Sequence, residues 1–143
     1  MKIIFLAMVV TFLGATKVHA FTDPKVGGLV TLKKGLEKKI VKGGVLFVIA
    51  KQAGPDSGPN DRTPPVAVIK IDNPTFPQAF VITQKNVMIA GTEFKGPFHV
   101  VARYSPIGDA LAKSGSIQGM DPKNPSTELG NKNLNIELSV EVK

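Results

Sequence analysis

Cysteine is absent from all 143 residues. That excludes disulfides, thiol redox chemistry, a cysteine nucleophile, thioether haem attachment and any thiolate metal site. Tryptophan is absent too, and tyrosine occurs once. So few flat rings leave little for the base stacking on which single-strand nucleic-acid binding depends, and no nucleic-acid partner is expected. Histidine occurs twice, as His19 and His99. His19 falls in a segment read below as a leader, so His99 stands alone and a multi-histidine zinc or copper site within one chain is excluded. Acids are outnumbered, 11 against 18 Lys and Arg, for a formal charge of +7. Beyond the N-terminal segment no apolar run approaches the roughly 20 residues that span a bilayer.

What is present begins with that segment. Lys2 supplies a positive start, Ile3 to Leu13 form a short apolar stretch, and Val18-His19-Ala20 fits a signal-peptidase site. The expectation is cleavage after Ala20, no stable membrane anchor thereafter, and a periplasmic or secreted location for a single domain from Phe21 to Lys143. Lys2 and Lys17 leave with the leader and no acid does, so the mature charge is 7 − 2 = +5. A net charge of that size keeps a small domain soluble and also draws anionic partners. Five lysines gather within ten residues, at Lys33, Lys34, Lys38, Lys39 and Lys42, forming a local basic patch.

Fourteen glycines and eleven prolines punctuate the chain into short elements and argue against long helices. Gly28 to Lys33 reads as a first strand. Val45 to Ala50 (VLFVIA) is apolar on both faces and is expected at the centre of the core. Val66 to Ile71, Ala79 to Thr83 and Phe98 to Tyr104 are further strands, and Val87 to Ala90 leads into a loop. Gly35 to Ile40 fits a turn or one helical turn, Gln52 to Pro65 is a polar insertion, and Ser105 to Lys132 reads as surface connection. The cleanest alternation lies at the end: Leu134, Ile136, Leu138, Val140 and Val142 on one face, with Asn135, Glu137, Ser139 and Glu141 on the other. About seven short strands with turns between them fit an all-β, two-sheet antiparallel Greek-key sandwich.

From about Val26 onward, five blocks occur in order: GGLVTL, VLFVIAK, PPVAVIKI, FPQAFVITQKNVMIAG and HVVARYSPIGDALAKSGSIQG. In them the chain resembles the C-terminal periplasmic, cupredoxin-like domain of the TPR-containing cytochrome c maturation subunit, the CcmI/CycH type. The matching features include Met88, Gly91, Ala102, Arg103, Ser105 and Gly108. The resemblance implies a cupredoxin-like sandwich and an assembly factor for c-type cytochromes, with apocytochrome c or its maturation machinery as partner. It also implies a free-standing domain, because a leader stands where that subunit carries membrane helices and its TPR region. Lys113-Ser114-Gly115-Ser116 replaces an acidic Pro-Gly-Asp of the family.

The scaffold invites copper, and composition answers. A blue-copper centre needs two histidines and a cysteine, so no cofactor is expected. A Cu(I) site could draw only on Met88, His99 and Met120, which read as core filler, a partly exposed strand residue and a loop residue. That small-carrier reading is the alternative to a protein-binding module. Ser105, Ser114 and Ser116 lie in no nucleophile elbow and the acids show no catalytic spacing, so no catalytic residues are assigned. Arg103, late in the apolar strand FHVVARYS, is expected either to pair with Asp109 or a nearby acid, or to recognise a partner carboxylate. With the five lysines it completes the candidate partner-binding set.

Overall fold

A computed structural model of the chain describes residues 24–58 and 61–143, so the expected leader lies outside the described residues. Among the described residues eight strands follow one another: β1 (Lys25–Leu32), β2 (Val45–Gln52), β3 (Pro65–Asp72), β4 (Gln78–Thr83), β5 (Phe98–Ser105), β6 (Ile117–Met120), β7 (Leu134–Leu138) and β8 (Val140–Glu141). They form two sheets, one ordered β4-β1-β7 and one β3-β2-β5-β6-β8. The expected all-β sandwich is present.

The apolar alternation of each strand puts one set of side chains between the sheets. Val26 and Val30 of β1, Phe80 and Ile82 of β4, and Leu134, Ile136 and Leu138 of β7 meet Leu46, Val48 and Ala50 of β2, with Val100, Ala102 and Tyr104 of β5 and Ile117 of β6. As VLFVIA implies, β2 is covered on both faces: its outward residues Val45, Phe47 and Ile49 form a second small cluster with Val68. Phe94, from the β4–β5 connection, is buried against Phe98 with stacked rings 4.4 Å apart. Tyr104 is fully buried; its hydroxyl accepts the Val41 N–H at 2.8 Å and donates to the Val41 carbonyl at 3.2 Å. The one phenol of the chain thereby ties the lysine-bearing β1–β2 connection to the core.

Three details depart from the sequence reading. The β1–β7 ladder is parallel, whereas the other ladders are antiparallel. The surface connection expected after Ser105 contains β6, whose Ile117 is fully buried. The C-terminal alternation is not one strand. β7 ends at Leu138 beside β1, and β8 begins at Val140 beside β6 in the other sheet. Val140, expected on the buried face, is 56% exposed.

Asp121 follows β6 and is buried. Desolvation raises its pKa, but this is outweighed by donors: Asn135 N–H and Asn124 Nδ2 at 2.9 Å to one oxygen, and Lys123 N–H at 2.9 Å to the other. The net result is a carboxyl held below its usual range. A depressed folded-state pKa stabilises above the unfolded value of about 3.9 and is lost as pH falls through the folded value. Acid denaturation below about pH 4 should therefore be shallower in Asp121→Asn than in the wild type. Urea midpoints at pH 7 and pH 3 measure this; an identical loss of stability between the two pH values in both proteins would contradict it.

Candidate functional site

The β1–β2 connection leaves the end of β1 at Lys33, whose N–H bonds the Leu138 carbonyl at 3.0 Å. It then makes a 3-10 turn at Glu37–Lys39 and reaches β2 past Gly43 and Gly44. Glu37 spends its carboxylate on the Gly35 N–H at 2.8 Å. Lys33, Lys34, Lys38, Lys39 and Lys42 are all exposed, as the patch reading expects. Lys39 pairs with Glu141 of β8 at 2.8 Å; among the described residues the other four have no carboxylate within ion-pair distance. One end of the sandwich therefore carries most of a local positive excess, held on a connector that Tyr104 and Lys33 fasten down.

Arg103 lies on the outer face of the five-stranded sheet, opposite Phe47 on one side and Gln118 on the other. It does not pair with Asp109. That carboxylate belongs to Lys113 and to the Leu111 N–H, because the β5–β6 connection curls back on itself. Arg103 instead donates from Nη1 to the Ala110 carbonyl at 2.7 Å and from Nη2 to Gln118 Oε1 at 3.3 Å. Its Nε is buried without a partner. Burial, with no carboxylate in compensation, pushes the guanidinium's pKa down.

The three soft or imidazole side chains are not brought together. Met88 is 59% exposed rather than core filler, beside the outer edge of β3, where its N–H bonds the Val66 carbonyl. Met120 lies in β6, with β3, β2 and β5 between. Four strand spacings separate them, about 19 Å. His99 is buried rather than partly exposed. Its Nδ1 lies 2.6 Å from the Pro125 carbonyl and its Nε2 3.3 Å from both Ser57 oxygens, so the imidazole clamps two loops. No sequence signal marked that clamp, since its partners are a backbone carbonyl and a serine in the polar connection.

Beside Arg103 lies a feature that the sequence reading missed. A hollow of about 200 Å³ opens on the outer face, lined by Val101, Gln118, Gly119, Met120, Ser139 and Val140. It exists because the chain leaves one sheet at Leu138 and joins the other at Val140. The alternation of the last strand hid the change of sheet, because Ser139 sits where a wet residue belongs.

These features define a small all-β sandwich with an exposed basic end and, on its larger sheet, an arginine that has no acid partner among the described residues. The chain belongs to the family of the Ig-like domain of cytochrome c-type biogenesis protein H, whose family model matches residues 26–139. An uncharacterized protein of Aquifex aeolicus (strain VF5) is 34% identical over 94 residues, which is 66% of this chain and 59% of that protein. The chain thus spans about three-fifths of that relative's length. No solved structure matches. The family associates the domain with c-type cytochrome biogenesis, and no helix among the described residues is long and apolar enough to cross a membrane.

Proposed function

We propose that this chain is a periplasmic, non-enzymatic protein-binding or assembly factor in c-type cytochrome biogenesis, exported by residues 1–20 and working through one domain beginning at Phe21. Apocytochrome c or its maturation machinery is the partner. The observation that carries this reading, beside family membership, is the basic end: among the described residues four of the five lysines have no acid against them, on a connector anchored to the core. Exposed like charges held together gain nothing for the fold, and they speed encounter with an acidic partner. Arg103, with its charge unneutralised, belongs to the same binding reading.

The test is capture of cytochrome biogenesis components from a periplasmic extract with wild type and with Lys38→Glu/Lys39→Glu. Capture is expected to fall in the double reversal at low salt and to differ much less at high salt, where the screening length shortens to a few ångströms. Equal capture at every salt concentration would make the patch solvated surface only. Intact cytochrome levels after deletion of the gene would remove the biogenesis role.

A further inference from the structure

We propose that the hollow beside Arg103 is a binding site for a peptide carboxylate flanked by an apolar side chain. This deepens the protein-binding reading and rests on it. Three observations converge. The first is an uncompensated charge: the guanidinium is half-buried, has two neutral partners, and lacks a carboxylate among the described residues. A half-buried cation left in that state costs stability that an incoming anion would recover. The second is position. Arg103 pairs with Gln118 across β5 and β6, and Gln118 pairs with Val140 across β6 and β8, so Arg103 stands next to Gln118, a lining residue of the hollow, and its Nη2 reaches that side chain. The third is lining: Val101, Met120 and Val140 supply apolar walls, while Gln118 and Ser139 supply polar groups beside them. A cavity of about 200 Å³ suits one aliphatic side chain.

The arrangement is stable without a ligand because Arg103 is held from both sides. The Ala110 carbonyl fixes one arm of the fork and Gln118 Oε1 the other. A fork fixed before binding loses little side-chain entropy when a carboxylate arrives, and Arg meets a carboxylate with two parallel hydrogen bonds where Lys offers a point charge. Lys39, the lysine of the basic patch tied to β8, is already paired with Glu141, whereas Arg103 has no carboxylate partner among the described residues.

A chain-terminal carboxylate and a Glu or Asp side chain present the same chemistry, and the experiment separates them. Purified protein is titrated with acetyl-Gly-Ala-Leu bearing a free carboxylate, with its C-terminal amide, and with acetyl-Gly-Glu-Leu-Gly-amide. Two-dimensional NMR follows the Arg103 Nε–H and the amides of Gln118, Gly119 and Val140. The free-acid peptide is expected to shift all four signals and to bind at least about tenfold more tightly than its amide, the scale of one charged hydrogen bond. If the Glu peptide binds equally, any carboxylate serves; if it does not, the site reads chain termini. Arg103→Gln should abolish the difference between acid and amide, and Arg103→Lys should keep part of it. Should Arg103→Gln lose its dispersed spectrum, the acid–amide comparison on wild type and Arg103→Lys decides. The proposal is overturned if neither carboxylate moves the Arg103 Nε–H signal, or if a folded Arg103→Gln binds like wild type. Because the titration uses the protein alone, the hollow can bind peptide while extract capture fails, and capture can succeed while the hollow stays silent.

Discussion

Leu138→Ala is expected to lower the unfolding free energy by about 2–5 kcal/mol, whereas Glu137→Ala, one residue earlier, costs about 0.5 kcal/mol or less. Leu138 is fully buried at the end of β7, packed in the core between the sheets, and Glu137 is exposed. Truncating Leu138 removes its transfer energy and leaves a cavity that rigid neighbouring strands fill poorly. Val140→Ala is the informative third member. Were the C-terminal alternation one strand with one buried face, it would cost nearly what a core valine costs. Val140 lies across the sheet change and is 56% exposed, so its truncation should cost well under 1 kcal/mol. Urea denaturation of the three variants measures the pattern. Equal costs at Leu138 and Val140 would mean that the strand does not change sheets.

Gly119→Ala should be among the most damaging glycine substitutions in the sandwich. A β-carbon at Gly119 would lie 1.8 Å from the Glu137 carbonyl oxygen, 2.7 Å from the Glu137 carbonyl carbon and 3.2 Å from the Leu138 Cα. All three are backbone atoms of β7, so no rotamer change relieves the contact. β7 must move from β6 at the place where the chain leaves one sheet for the other. A cost of about 3 kcal/mol or more is expected, at the upper end of overpacking effects. Gly54→Ala is the control: its nearest neighbour would be Ser57 Oγ at 3.7 Å, ordinary van der Waals contact. It should change stability by about 0.5 kcal/mol or less. If Gly119→Ala is as mild as the control, β6 and β7 do not approach each other as described. The same variant would also deform the hollow beside Arg103, since Gly119 and Ser139 both line it.

Much of the sandwich was legible in local pattern. VLFVIA carries no polar residue for six positions, and a strand with nothing to present to water has to be covered on both faces, as β2 is. The alternation in LNIEL put Leu134, Ile136 and Leu138 inside, where they are. The five lysines were readable as a patch because they are close in the chain, and one connection carries them all. Those inferences needed only side-chain polarity and the two-residue period of an extended backbone.

β6 was not legible. Ile-Gln-Gly-Met is four residues long, contains a glycine and follows a run of small residues, so neither length nor β-propensity separates it from a loop. Its status as a strand comes from pairing with β5 and β8, both distant in the chain. The parallel β1–β7 ladder was hidden for the same reason, since pairing direction is written in the connections rather than in either strand.

Absence of cysteine, the short apolar stretch from Ile3 to Leu13, the excess of lysine and the strand periodicity were determined by sequence alone, because each depends on residue type and near-neighbour spacing. Tertiary structure alone decided that Asp109 turns to Lys113 and away from Arg103, that Met88 and Met120 stand on opposite sides of three strands, and that the last alternating run divides at Ser139. Each of these depends on which residues meet across the sheets. A residue's polarity states whether it prefers water, whereas its partner is chosen by the competition among all the groups that the fold brings within reach.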